Sequence, residues 1–289
     1  MGCADEIVLI ANYVIIIVSV ISLIASIGVI ILCFIGDILD DFTLKIIMYM
    51  AINDLIRSCA LIIPLCFESK NYICMFFGYI VVFTFISNVV WAASIIVTLY
   101  IVIIKKHRNY ERFMKYWFIA AYPLFAIILS IPYSTNSYGF NGGMCTLKDD
   151  YYGNIWRFTL LYFPYWVFII LAVWIFYKLH QMLKESDSGT LDSLVLKRGY
   201  IYSLIIFVMV VFLSAVRTIQ LFTDTCPIKY MSFSLDSVIG LHGLLNGIAL
   251  ICNQTVRKQL KYKFCRDLSN MYYDPSSISP SFGSEKDIN

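Results

Sequence analysis

The chain has 289 residues, of which 60% are hydrophobic and 14% charged, with a net charge of +3 and a mean hydropathy of +0.77. Soluble domains carry about 25% charged residues, and no single core of this length hides so much apolar surface, so an ordinary soluble enzyme and a disordered chain are both excluded. The small net charge argues against a nucleic-acid partner, and His107, His180 and His242 are too scattered for metal chemistry.

What remains is an all-α membrane protein. A bilayer core of about 30 Å needs roughly 20 mostly apolar residues in a helix. Seven windows qualify, at Ile7–Ile35, Lys45–Phe67, Ile73–Ile104, Tyr116–Tyr133, Trp156–Tyr177, Tyr200–Phe222 and Ser232–Cys252. A barrel of ten-residue alternating strands does not fit these lengths, and no internal repeat of 20–50 residues is visible. The first window follows the short segment 1–6. That segment contains acidic Asp5 and Glu6, so the window reads as a true helix and not as a signal peptide with a basic start. Met1-Gly2-Cys3 lacks the Ser or Thr that N-myristoylation wants at position 6, which is Glu6.

Orientation follows from lysine and arginine. One set of connections holds Lys45, the group Lys105, Lys106, Arg108, Arg112 and Lys115, then Lys178, Lys184, Lys197 and Arg198, and six more after the seventh window. The other set holds Lys70, Lys148 and Lys229. Sixteen against three places the N-terminus outside and the C-terminus in the cytoplasm. The chain then divides into an extracellular N-terminus at 1–6, a seven-helix transmembrane domain at 7–252 and a cytoplasmic tail at 253–289.

Nine cysteines distribute accordingly. Cys33, Cys59, Cys66 and Cys252 lie in or at the ends of spans and read as small packing residues. Cys74 opens the third span on the outer side and Cys145 sits in the outer loop after the fourth. An oxidising compartment permits a disulfide there, which would pin that loop over the mouth of the third helix. Cys3 and Cys226 also lie outside, where a second bridge is the weaker expectation. Cys265 follows the seventh span in a basic stretch, where S-palmitoylation and an unmodified thiol are equally compatible.

Charges inside a bilayer are costly and face the bundle interior. Asp54 and Arg57 stand three residues apart on one face of the second helix. They read either as a self-neutralising packing pair or as a polar switch joined to Asn246 of the seventh. Arg217, Asp236 and Arg157 all fall in the outer third of the bundle at ~1.5 Å per residue. Arginine suits a carboxylate or phosphate, so these three, with Trp91 in mid-helix 3, are candidate ligand residues. The structural alternative pairs Arg217 with Asp236, lets Arg157 snorkel to the interface, and leaves Trp91, like Trp166 and Trp174, to packing.

On the inner side, Lys105, Lys106 and Arg108 form a short basic loop, and Arg257 and Lys258 open a segment with helical apolar spacing. That segment reads as an amphipathic helix over about 254–268 on the inner leaflet. A Ser/Pro-rich tail follows, expected to be disordered and open to phosphorylation. The sequon Asn253-Gln254-Thr255 falls on the cytosolic side and is discounted.

Rhodopsin-like signatures are absent. The third helix ends Thr98-Leu99-Tyr100-Ile101-Val102 without an acidic-Arg-Tyr motif, the sixth has no proline, and Asn246-Gly247 stands where Asn-Pro would. The seventh window has no lysine for a retinal Schiff base. The ordered set Cys74, Ser87 and Trp91; Tyr122-Pro123-Leu124; Thr135-Asn136-Ser137-Tyr138-Gly139; Cys145; Trp156-Arg157-Phe158; Tyr162-Phe163-Pro164 and Trp166; Val216-Arg217-Thr218-Ile219-Gln220; and His242-Gly243-Leu244-Leu245-Asn246-Gly247 resembles the cyclic-AMP-receptor-like family (class E) of G-protein-coupled receptors across most of the chain. Departures are Met144 and Thr146 beside the loop cysteine, Ile119-Ala120-Ala121 in the fourth helix, and a short tail.

The resemblance implies a plasma-membrane receptor without a cofactor. Its ligand would be extracellular, with cyclic AMP the one suggested, and the residues themselves specify only a small molecule, anionic or not. It also implies movement of the sixth helix against the third and fifth, a heterotrimeric G protein at the two basic inner loops and the juxtamembrane helix, and desensitisation through a receptor kinase and arrestin. The rival reading, a seven-helix small-solute transporter, expects mirrored halves. The span prolines at 64, 123, 132 and 164 all lie between the second and fifth windows, with no mirror in the second half. An intramembrane enzyme lacks its paired aspartates, His-Glu-x-x-His or Ser/His pair in the spans.

Overall fold

The computed structural model describes residues 3–36, 42–66, 71–103, 110–141, 144–185, 211, 215–216, 218–219, 237, 240–252 and 256–257. Three long helices come first: α1 (Cys3–Gly36), α2 (Phe42–Cys66) and α3 (Asn71–Ile103). The helix α4 (Met114–Tyr133) is composite, with a π-helical turn at Ala120–Leu124 and a closing 3-10 turn at Ile131–Tyr133. The helix α5 comprises Tyr151–Arg157, a π-helical turn Phe158–Tyr162 and Phe163–Glu185. Part of the seventh apolar window is the helix α6 (His242–Cys252).

Five helices are long and apolar enough to cross a membrane: Asn12–Ile35, Phe42–Pro64, Asn71–Thr98, Met114–Tyr133 and Tyr151–Lys178. They carry outward apolar side chains such as Ile24, Ile127 and Ile170, each more than 60% exposed, as helices in lipid do. The chain is a membrane protein. Of the sixth window only scattered helical residues are described, among them Val216, which is buried.

Proline explains the two π turns. A proline has no N–H to donate and its ring crowds the carbonyl four residues back. For Pro123 that carbonyl belongs to Ile119, and for Pro164 to Leu160, and the helix widens beside each. The disturbed backbone of α4 finds partners on α3: Ser87 Oγ donates to the Ala121 carbonyl at 2.7 Å and Tyr79 Oη to that of Ala126 at 3.1 Å. Apolar surroundings leave no water to do this, so a neighbouring helix must.

One end of the bundle carries a β-hairpin, β1 (Tyr138–Asn141) and β2 (Met144–Leu147), antiparallel with Tyr138 opposite Leu147 and Phe140 opposite Cys145. The chain reaches it from α4 through Asn136 at φ 52°, a left-handed position that asparagine tolerates. A disulfide joins Cys74 of α3 to Cys145 of β2. Gly78, one helical turn further on, lets the hairpin backbone approach; a β-carbon there would stand 3.2 Å from the Thr146 nitrogen. Tyr138 is fully buried and donates to the Leu129 carbonyl at 2.8 Å, Tyr133 to that of Met75 at 3.2 Å, and Trp156 Nε1 to Thr135 Oγ1 at 2.8 Å.

The helix α1 begins at Cys3, within the segment 1–6 expected to precede it, and α2 at Phe42 instead of Lys45; the boundaries of α5 differ most from the sequence expectation. The helix α5 begins at Tyr151 instead of Trp156, because Asp150 caps it by accepting from the Gly153 N–H at 2.6 Å. It continues to Glu185, beyond the apolar limit at Tyr177, because hydropathy marks the lipid boundary and not the end of the helix.

Candidate functional site: a buried carboxylate joining three helices

Asp54 lies in mid-α2 and is fully buried. A carboxylate in that position needs its lone pairs filled. Its Oδ1 accepts from Arg57 Nη2 at 2.6 Å and from Asn88 Nδ2 of α3 at 2.7 Å. Its Oδ2 accepts from Asn246 Nδ2 of α6 at 2.7 Å. His242 Nδ1, one turn before Asn246, stands 3.0 Å from Oδ2 and 3.1 Å from Oδ1. A carboxylate held by a guanidinium only accepts, so Nδ1 of His242 carries its proton and points it at Asp54. The arrangement is a small ionic cluster in which the Asp54 carboxylate and the Arg57 guanidinium are surrounded by amide and imidazole side chains.

The cluster extends to α4. Asn53 Nδ2 donates to Asn88 Oδ1 at 2.9 Å, the Tyr122 hydroxyl donates to Asn53 Oδ1 at 3.3 Å, and Trp91 Nε1 donates to the Tyr122 oxygen at 3.3 Å. Trp91 is fully buried and stacks on Tyr49 of α2, ring centres 4.9 Å apart. Helices α2, α3 and α4 are therefore tied by bonds of their own, while α6 is held through Asp54.

Close packing brings α6 to this position. Gly243 lies against Ser22 and Ser26 of α1, where a β-carbon would overlap both hydroxyls, and Gly247 faces Val29. Small residues that let backbones approach are the usual means of joining helices in lipid.

Of the candidate residues named from the sequence, the structure brings Asp54, Arg57 and Asn246 together. It places Trp91 beside them through Tyr122 and not on an open cavity wall. Arg157 is elsewhere: buried under the hairpin, its Nη2 donates to the carbonyls of Leu147 and Lys148 at 2.8 and 2.9 Å, and its Nη1 to Asn154 Oδ1 at 3.1 Å and Asp149 Oδ1 at 3.4 Å. It fixes the hairpin and does not snorkel. Cys74 and Cys145 are bonded to each other; Cys33 and Cys59 are free thiols, the first buried. Arg257 is exposed and its Nε donates to the Ile251 carbonyl at 2.7 Å. Arg217, Asp236, Lys105, Lys106, Arg108, Lys258, Cys226 and Cys265 lie outside the described residues.

Sequence reasoning missed His242, Asn88, Asn53 and Tyr122. The four-residue spacing of His242 and Asn246 was a usable signal, because it puts both on one helix face. Nothing in the sequence placed Asn88 opposite Asp54. Among the described residues no cluster of three metal-ligating side chains exists.

Comparison with known proteins agrees with this architecture. The chain is 23% identical over 257 residues to a protein of Arabidopsis thaliana named G-protein coupled receptor 1, a match covering 84% of this chain and 78% of that one. The slime mold cyclic AMP receptor family matches residues 3–269, nearly the whole length, and the chain belongs to that family.

Proposed function

We propose that the chain is a plasma-membrane heptahelical receptor that binds a small extracellular anion, with cyclic AMP the first candidate, and activates a heterotrimeric G protein. The observation that carries the reading is the Asp54 cluster within a chain of this family: one buried carboxylate holds α6 against a unit formed by α2, α3 and α4. A ligand that favours a state with these bonds exchanged shifts the population toward it, and one without differential affinity shifts nothing. The lysine and arginine bias puts the hairpin end outside, so the disulfide and Arg157 hold the outer loop in place. Lys105, Lys106, Arg108, Arg257 and Lys258 then face the G protein, with the juxtamembrane segment on the inner leaflet and Cys265 as its lipid anchor. Arg217 and Asp236, by their positions in the sixth and seventh apolar windows, are the further candidates for ligand contact, and the tail serves a receptor kinase and arrestin.

The test is cyclic AMP binding to membranes of cells displaying the chain, together with nucleotide exchange on added heterotrimeric G proteins. Saturable binding and ligand-dependent exchange are expected, with binding weakened in Arg217→Ala. Surface-displayed protein that accelerates exchange on no G protein under any ligand screened refutes the receptor mechanism.

A further inference from the structure

Arg57 has more donors than Asp54 takes up. A guanidinium carries five N–H groups, and Arg57 is only 4% exposed in mid-bundle. Among the described residues, one hydrogen bond, from Nη2 to Asp54, accounts for one of the five. Asp54 cannot take the others, because its two oxygens already serve Asn88, Asn246 and His242.

A second unmatched group lies close by. The Arg57 guanidinium carbon sits 6.0 Å from the centre of the Phe85 ring of α3, and the Tyr165 ring of α5 meets the same Phe85 edge-on at 5.5 Å. Tyr165 is 1% exposed and its hydroxyl is buried with no hydrogen-bond partner among the described residues. Buried polar groups without partners are rare in folded proteins, and each one calls for an explanation. Here a donor-rich cation and an unpartnered hydroxyl share one aromatic ring between three helices. They lie between ~14 Å below the α2 end at Cys66 and ~21 Å below the α3 start at Asn71, counted at 1.5 Å per residue.

We propose that Arg57 and Tyr165, which both neighbour Phe85, form an oxyanion site that receives the phosphate or carboxylate of the ligand. This deepens the receptor reading above and rests on it. The guanidinium offers its unused edge as a planar fork, which matches an oxyanion better than an ammonium does. The Tyr165 hydroxyl donates a further hydrogen bond, and Phe85 forms an apolar floor. Arg57 then bridges two anions on opposite edges. Asp54 tolerates this because Asn88, Asn246 and His242 continue to hold it. Arg157, the other described candidate, has its donors occupied by the hairpin.

The experiment uses the full chain, purified in detergent, with thermal unfolding followed as cyclic AMP or inorganic phosphate is titrated at constant ionic strength. Tyr165→Phe keeps the ring on Phe85 and removes an unpartnered hydroxyl, so its unliganded midpoint should equal or exceed that of the wild type. It should need at least tenfold more cyclic AMP for the same shift, the loss expected for one hydrogen bond to a charged group. Arg57→Lys keeps the charge beside Asp54 and should lose as much, because the fork is gone. A wild-type shift that both variants reproduce overturns the site and leaves the receptor reading standing. No wild-type shift with cyclic AMP or phosphate overturns an anion site in the bundle, while G-protein exchange judges the receptor reading separately. Response to phosphate in all three chains alike identifies adventitious binding and also overturns it.

Discussion

Asp54→Asn isolates what the central charge does. The replacement has the same shape but one acceptor oxygen and one NH2 group. In the native cluster Oδ1 serves Arg57 and Asn88 while Oδ2 serves Asn246 and His242. Whichever way the amide turns, one pair of donors faces an NH2. Turned one way, it also confronts the guanidinium with a donor. Breaking one side of a buried ion pair costs about 3–5 kcal/mol, because the surviving charge stays in the interior without its partner. For a chain of this size that is a fall in the unfolding midpoint on the order of 10 °C. Removing the surviving charge as well, in Asp54→Asn/Arg57→Met, should restore part of the loss, so the two changes are non-additive by about 2 kcal/mol or more. The buried Cys33 and the free Cys59 supply the assay, since a thiol-reactive dye labels them as the bundle opens on heating. If the double variant falls by the sum of the single losses to within about 0.5 kcal/mol, the pair is not coupled in the interior and the cluster as described is wrong.

Three further outcomes follow from the hairpin end. Arg157→Ala leaves the Leu147 and Lys148 carbonyls without their charged donor; stability should fall by about 2–4 kcal/mol, and trypsin should cut faster at Lys148, whereas an unchanged cutting rate means the hairpin is held without Arg157. Gly78→Val places a branched side chain where a single β-carbon already stands 3.2 Å from hairpin backbone; the Cys74–Cys145 bridge should form in a smaller fraction of molecules, read as free thiol on a non-reducing gel, while Gly28→Val, with open space around it, should leave the bridge intact. Tyr138 lies outside the spans, and burial, with Tyr133 and Tyr79 beside it, raises its hydroxyl above the ordinary tyrosine range. A raised group lends stability that is whole below the unfolded value near 10 and is lost as pH rises through it, at about 1.4 kcal/mol per pH unit. Tyr138→Phe should therefore be about 1 kcal/mol less stable at pH 7, for the bond lost to Leu129, and should draw level with the wild type and overtake it in thermal scans near pH 11. A gap that stays constant from pH 8 to 11 removes the burial argument.

The spans were legible because lipid demands an apolar side chain at nearly every position, so length and hydropathy mark five of the seven windows by themselves. The Cys74–Cys145 bridge was legible because topology put both cysteines at one end. The i,i+3 relation of Asp54 and Arg57 was visible in the same way. What the sequence hides is rotation about each helix axis. Hydropathy is blind to it when the third helix is apolar all round, and nothing local says that Asn88 faces Asp54 while neighbouring Val89 does not. The fate of Arg157 was hidden for a different reason. Half of its partners are backbone carbonyls at the end of the hairpin, and any sequence supplies carbonyls. The start of α5 was missed because Tyr151-Tyr152-Gly153-Asn154 has no apolar period, and a single aspartate cap was enough to begin the helix.

One consequence separates the pair's structural and functional roles. On the proposed assignment Arg57 divides its field between Asp54 and the oxyanion site beside Phe85. Neutralising Asp54 removes an anion lying 2.6 Å from one guanidinium nitrogen and repelling any oxyanion on the other edge. On the proposed assignment, Asp54→Asn should bind cyclic AMP more tightly than the wild type in spite of its lower stability. It should also transmit less, because His242 and Asn246 no longer meet a carboxylate whose charge balance the ligand alters. A packing role predicts another pattern, in which binding capacity and G-protein exchange both fall with the fraction of folded protein while affinity per folded receptor stays at the wild-type value. Binding measured per folded receptor, with exchange measured on the same membranes, distinguishes the two. Weaker binding in Asp54→Asn places the carboxylate among the ligand's own contacts and removes Arg57 as a bridge between ligand and helix α6.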